Sequence, residues 1–145
     1  MKTLKLAGVI AALAFAGSSV AGSFEVWSDN DKSMNKVVVV SFAGDNETQD
    51  AMLDLEYPAN WEFVKAAAKA SGTICAAKTD ERKIRIVPPS GAGKALGGRA
   101  DYCTFLFKPA AGKAAGGALK TLFTECAAAN GNKTCSADLV DLNEK

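Results

Sequence analysis

The chain has 145 residues, with 17 Lys and Arg against 16 Asp and Glu, and no histidine. Near-neutral charge leaves no electrostatic footprint for nucleic acid or an anionic membrane surface. Without histidine, Ser-His and Cys-His catalytic arrangements and histidine-ligated zinc sites are excluded.

Lys2 and Lys5 form a short basic stretch, Leu6 to Ala16 an apolar run, and Ser18 to Gly22 a segment of small residues. That order predicts an export signal over residues 1–22, cleaved after Ala21 or Gly22. The apolar run falls short of the ~20 residues of a membrane span, and no later stretch approaches that length. No cysteine follows the cleavage site, which argues against a lipid anchor. Removing 22 of the 145 residues leaves 123, one domain over residues 23–145. Lys2 and Lys5 leave with the signal, so the remainder carries 15 basic and 16 acidic residues. The signal is bacterial in style and predicts a secreted or periplasmic protein.

Asp29, Asp31, Ser33 and Asn35 alternate like the start of a calcium loop. The glycine and glutamate that such a loop needs are replaced by Met34 and Val40, so the segment reads as a polar lead-in. Lys36 to Phe42 (KVVVVSF) is a β-branched run and predicts a strand near the centre of a sandwich. Gly44 to Gln49 reads as a polar turn. Ala51 to Tyr57 alternates, with Ala51, Leu53, Leu55 and Tyr57 on one face and Met52, Asp54 and Glu56 on the other. Pro58 ends it. Trp61 to Ala70 is ambiguous. Its alanines and lysines favour helix while its neighbours read as strand, so irregular structure or a strand is expected.

Thr73 to Ala77 and Lys83 to Val87 predict two strands joined across Lys78 to Arg82, with Ile84 and Ile86 inward and Lys83 and Arg85 outward. Ser90 to Arg99 is a Gly-rich loop. It fails the phosphate-loop pattern, because Pro88 stands where the first glycine belongs and Ala95 follows Lys94. Tyr102 to Lys108 (YCTFLFK) is the strongest core strand, with Cys103, Phe105 and Phe107 on one face. Pro109 to Gly117 is another loop. Leu119 to Cys126 and Cys135 to Leu142 are expected to form a closing hairpin.

Four cysteines in an exported domain predict two disulfides. Asn130-Gly131 is a strong hairpin signal, because both positions of a type I′ turn need positive φ. Counting outward from that turn sets Cys126 opposite Cys135 on a non-hydrogen-bonded pair, about 4.5 Å apart at Cα. Cys75 and Cys103 remain as the second pair. The same register sets Leu122 opposite Leu139 and Lys120 opposite Asp141, although neither face of this hairpin is cleanly apolar. Asn46-Glu47-Thr48 and Asn132-Lys133-Thr134 match the glycosylation sequon, read as coincidence beside a bacterial-type signal.

Seven or eight short strands with frequent turns predict an all-β fold, an antiparallel β-sandwich stapled by two disulfides. The segments AMLDLEYPANWEFV, RIVPPSGAGKALGGRADYCTFLFKPAAG and ALKTLFTECAAANGNKTCSADLVDL resemble, in order, successive strands of the cohesin-like branch of the bacterial carbohydrate-binding β-sandwich superfamily. The resemblance spans residues 36–142 and implies a cohesin-like jelly roll. The four cysteines set this chain apart from that cysteine-poor branch. By resemblance the function is non-catalytic binding of a protein partner through one sheet face. That face maps onto Met52, Asp54, Glu56, Lys83 and Arg85.

No carboxylate pair stands out as an acid/base arrangement, so no enzyme activity and no cofactor are expected. Trp27, Tyr57, Trp61 and Tyr102 are the only residues beyond phenylalanine that could stack on a sugar. They keep a carbohydrate-binding module, with a polysaccharide as partner, as an alternative. A small periplasmic inhibitor or envelope structural protein using the loop Ser90–Arg99 is a third reading.

Overall fold

The computed structural model describes residues 22–89, 96–112 and 117–141. The expected export signal and most of the Gly-rich loop lie outside them. The described residues form two five-stranded sheets packed face to face. The strands are β1 (Ser23–Asn30), β2 (Lys36–Ala43), β3 (Thr48–Glu56), β4 (Trp61–Ala68), β5 (Ile74–Lys78), β6 (Lys83–Val87), β7 (Arg99–Pro109), β8 (Lys120–Ala128), β9 (Gly131–Lys133) and β10 (Ser136–Asp141). Sheet A has the order β10-β1-β2-β7-β4 and sheet B the order β5-β6-β3-β8-β9. Every pairing is antiparallel except β1 with β10, which is parallel.

Period-two alternation explains the core. Phe24 and Val26 of β1, Val38, Val40 and Phe42 of β2, and Cys103, Phe105 and Phe107 of β7 point inward from sheet A. Ala51, Leu53 and Leu55 of β3 and Ile84 and Ile86 of β6 answer them from sheet B. Phe107 is the aromatic hub, with ring centroids 4.8 Å from Tyr57, 5.3 Å from Trp61 and 5.9 Å from Phe63. Trp61 and Tyr57 flank the turn at Pro58, where the chain crosses from sheet B to sheet A. The Trp61 N–H donates to the Pro58 carbonyl at 3.1 Å, and the Ala110 N–H reaches the Asn60 carbonyl at 2.9 Å.

The expected strands are present, with four differences. β1 is an addition. Phe24, Val26 and Ser28 alternate inward against Glu25, Trp27 and Asp29, but the strand begins directly after the expected cleavage site and runs into polar residues. The ambiguous segment is the edge strand β4. Its inward Trp61, Phe63 and Ala66 pack on β7, and a bulge at Val64 absorbs the extra residue. Tertiary packing overrides the helix propensity of its alanines.

The third difference is the turn. The two-residue loop is Ala129-Asn130, and Gly131 opens β9 with φ of 127°. Only the glycine takes positive φ there, so a type I′ turn is not formed and Cys126 faces Lys133 instead of Cys135. Both disulfides nonetheless pair as expected. Cys126–Cys135 has Cα atoms 5.9 Å apart, and Cys75–Cys103 has them 5.8 Å apart. Cys135 lies beyond the end of β9, where the chain swings back over Cys126. The fourth difference follows. The last segment leaves sheet B and joins β1 in parallel, so the Leu122–Leu139 and Lys120–Asp141 pairs do not form, and Leu139 faces Val26.

At one end of the sandwich, Lys133 ties β9 to the turn between β2 and β3. Its Nζ donates to Asp45 Oδ2 at 2.9 Å and to Glu47 Oε1. Asp45 Oδ1 also accepts the N–H groups of Glu47 at 2.9 Å and Thr48 at 2.7 Å. Burial pushes the Asp45 carboxyl up, but the Lys133 ammonium and the two N–H donors outweigh it and hold the pKa far below the ordinary carboxylate value. A depressed folded-state pKa contributes stability that is complete above the unfolded value near 3.9 and is lost as pH falls below it. Urea denaturation of the wild type should therefore weaken between pH 5 and pH 2. Asp45→Asn should be destabilised at pH 7 by on the order of 2 kcal/mol and show a shallower acid loss. Parallel acid profiles for the two proteins would contradict this role.

Candidate functional site

The outer face of sheet B brings the five residues Met52, Asp54, Glu56, Lys83 and Arg85 together. Burial of Leu53 and Leu55 turns Met52, Asp54 and Glu56 outward on β3, and burial of Ile84 and Ile86 turns Lys83 and Arg85 outward on β6. The register then aligns side chains into rows across the sheet. Ala76, Arg85, Asp54 and Phe123 lie side by side from β5 to β8. Lys78, Lys83, Glu56 and Lys120 form the next row.

The centre of the face is a bidentate ion pair. Arg85 Nε donates to Asp54 Oδ1 at 2.7 Å and Nη2 to Oδ2 at 2.8 Å. The side chains differ sharply in exposure, 46% for Arg85 and 6% for Asp54. Asp54, expected as an outward charge, does point outward but is covered, and both its oxygens are taken by Arg85. It supports the guanidinium, and the hydrogen bond and charge of its carboxylate raise the Arg85 pKa further above its ordinary value. Glu56 lies 3.9 Å from Arg82 Nη2, and Lys83 lies 3.4 Å from Glu81. Lys78 and Lys83 stand directly opposite each other, and Glu81 between them offsets the like-charge contact.

Apolar groups surround this polar centre. Ile74 at 53% exposure, Leu122 at 45% and Phe123 at 44% lie on β5 and β8, with Met52 and Val87 half-buried between them. A niche of about 210 Å³ opens beside Arg85, lined by Ala76, Ala77, Lys78 and Lys83. That is below the ~300 Å³ of ordinary small-ligand pockets and suits a single side chain. Sequence reasoning missed the contribution of β5 and β8. The disulfide partner Cys75 faces inward, and its phase sends Ile74, Ala76 and Lys78 outward.

The alternative sites gain less. Trp61, Tyr57 and Tyr102 are buried in the core, and half-buried Trp27 lies beneath the Arg99 guanidinium, 5.6 Å from its ring centroid. The four aromatics therefore form no common sugar-stacking plane. Asp31 Oδ1 accepts the N–H groups of Ser33 at 2.8 Å and Asn35 at 2.9 Å, so this carboxylate caps its own turn. Among the described residues no cluster of three or more metal-ligating side chains occurs. The loop residues 90–95 lie outside the described residues. Its far end is tied down, with the Leu96 N–H donating to the Thr48 carbonyl at 2.7 Å. Gly44 is required opposite it, since a Cβ there would lie 2.2 Å from the Leu96 carbonyl oxygen.

No family model matches the chain, and no curated protein matches it. Solved structures do. A type I cohesin from a cohesin–dockerin complex of Clostridium thermocellum is similar with a TM-score of 0.61 and 8% identity, over 86% of this chain and 97% of that one. The second type II cohesin module of the ScaA scaffoldin of Acetivibrio cellulolyticus gives 0.61 and 10%, over 86% and 91%. A non-cellulosomal cohesin from the archaeon Archaeoglobus fulgidus gives 0.57 and 10%, over 81% and 86%. At such identities the likeness is one of fold, and the chain has a cohesin-like β-sandwich fold.

The unequal burial of the central pair makes its two halves unequal in stability. Arg85→Ala strands a covered carboxylate and should cost about 1–3 kcal/mol. Asp54→Ala leaves a guanidinium already open to water and should cost about 0–1 kcal/mol. Urea denaturation of both variants at neutral pH checks the order, and a larger loss for Asp54→Ala would reverse the assignment.

Proposed function

We propose that this chain is an exported, non-catalytic module that binds a protein partner on the outer face of sheet B. The observation that carries the reading is the composition of that face. Exposed Ile74, Leu122 and Phe123 surround a fixed, half-exposed Arg85, with cations on the rim. Apolar anchors beside a buttressed arginine are the usual ingredients of an interface hot spot. The shallow niche argues against a small-molecule substrate. The fold supports the reading by analogy, since one of the similar structures is a cohesin held in a complex with a dockerin. Two disulfides fit an oxidising compartment outside the cytoplasm. Carbohydrate binding is the weaker reading, because three of its four aromatic candidates are buried.

Export is tested by N-terminal sequencing of protein recovered from the producing cells. The expected start is Gly22 or Ser23, and stably folded protein that retains Met1 would contradict it. The binding face is tested by surface reversal. A partner captured by the wild type from the exported fraction is identified, purified and titrated against variants. Arg85→Glu and Phe123→Ala should each weaken it by about 2 kcal/mol or more, the level of a hot-spot residue. Lys65→Glu, on the opposite sheet, should leave affinity unchanged. Equal losses for all three would move the interface elsewhere.

A further inference from the structure

β8 is an edge strand over most of its length. One side pairs with β3 throughout, but β9 covers the other side only at Cys126, Ala127 and Ala128. Among the described residues no strand pairs with that side over residues 120–125. The bare stretch is bounded at both ends. β9 ends with Lys133 beside Cys126, and the chain leaves the sheet before Lys120, where Ala118 and Leu119 turn to line a small cleft with Val26 and Leu139 of sheet A. An incoming strand of six residues would fill it. Lys120, Thr121, Leu122, Phe123 and Glu125 are all exposed there.

The sequence of this edge is Lys-Thr-Leu-Phe-Thr-Glu, and it is complementary to itself when laid antiparallel. Lys120 of one copy meets Glu125 of the other, Thr121 meets Thr124, and Leu122 meets Phe123, each pair occurring twice about a two-fold axis. Opposite charges, paired threonines and paired apolar side chains are the favourable cross-strand combinations. The facing also agrees. In an unbroken strand a two-fold centred between Leu122 and Phe123 would set outward residues against inward ones. The bulge removes the conflict, because Phe123 is opposite Asp54 while Thr121 is opposite Leu55, with Leu122 as the extra residue. Lys120 and Glu125 therefore both face outward, opposite Glu56 and Met52, and Thr121 and Thr124 both face inward, opposite Leu55 and Leu53. The departure of the chain before Lys120 leaves room for β9 of the second copy.

The geometry points to a symmetric homodimer in which the free edges of two β8 strands pair antiparallel and join the two copies of sheet B into one continuous sheet. This is an isologous contact and closes on itself. It does not rest on the partner reading, although Leu122 and Phe123 belong to both surfaces; Ile74 and Arg85 lie on strands the dimer contact does not use.

The test uses the full chain with both disulfides formed. Light scattering across a concentration series should show a reversible monomer–dimer equilibrium. Glu125→Lys and Lys120→Glu each convert both symmetric ion pairs into repulsions and should each weaken the dimer about tenfold, while the double exchange should restore it. Both positions are exposed, and thermal melts check that the variants remain folded. In the unmodified chain, amide exchange at residues 120–125 should slow as concentration rises, which association through another surface would not produce. A monomer at the highest concentration reached overturns the proposal. So does a dimer indifferent to the single reversals, or edge amides whose exchange ignores concentration.

Discussion

Burial of four side chains, Leu53, Leu55, Ile84 and Ile86, fixes the phase of sheet B, and the character of its outer face depends on that phase. A one-residue slip in β3 or β6 would turn leucine and isoleucine to solvent and carry Asp54 or Arg85 into the core. Burying several such side chains stabilises by about 1.5–3 kcal/mol each, far more than any surface ion pair. The register is therefore set from inside, and the Arg85–Asp54 pair is a consequence of it. The pair meets because both residues are opposite each other in a register that the core has already chosen. Its bidentate geometry then limits Arg85 to one orientation, which a flexible cation on an open surface would not have.

The end of the chain obeys a different constraint. The chain makes only three residues of β9 on β8 before crossing between the sheets, and β10 joins β1 in parallel. Parallel neighbours need a long connection, and here β2 to β9 and their loops all intervene between the two strands. Cys126–Cys135 closes a short loop at the crossing, and Cys75–Cys103 joins an edge strand of sheet B to β7 in sheet A. In the chain-entropy picture, the separations of 9 and 28 residues correspond to about 2.5 and 3.5 kcal/mol of stabilisation. The first bridge holds the chain where it crosses from sheet B to sheet A, and the second ties the two sheets together through residues already paired within their strands.

Local alternation made much of this legible in the sequence. Ala51 to Tyr57, Lys83 to Val87 and Tyr102 to Lys108 carry their own phase, so their inward and outward residues follow without the fold. The outward direction of Met52, Asp54, Glu56, Lys83 and Arg85 follows for that reason, while their grouping as a binding face came from the resemblance alone. What local pattern did not encode is which strand lies beside which. The hairpin count from Asn130-Gly131 named the correct cysteine pair through an incorrect register, because a disulfide needs only proximity while a ladder needs exact opposition. The parallel partner of β1 was illegible, since nothing in Ser136 to Asp141 distinguishes a return to β8 from a crossing to β1. Asp54 illustrates the same limit. Its alternation says outward, but its burial depends on Arg85 and Phe123, which come from two other strands.

The edges of the sandwich show how unevenly an exposed backbone is managed. β5 is only five residues long and ends in Lys78. β4 carries a bulge at Val64 with Lys65 beside it. Short length, charge and bulges are the devices by which natural sheets discourage edge-to-edge pairing. The bare stretch of β8 also has a bulge and charged ends, but there the devices act differently. Lys120 and Glu125 have opposite signs, so they repel a strand of fixed charge less well than two lysines would, and they attract a reversed copy of themselves. The bulge, which elsewhere spoils register, restores agreement between outward and inward positions in that one antiparallel alignment. An edge guarded only against foreign strands would have no use for such symmetry, and that self-complementarity separates β8 from the guarded edges at β4 and β5.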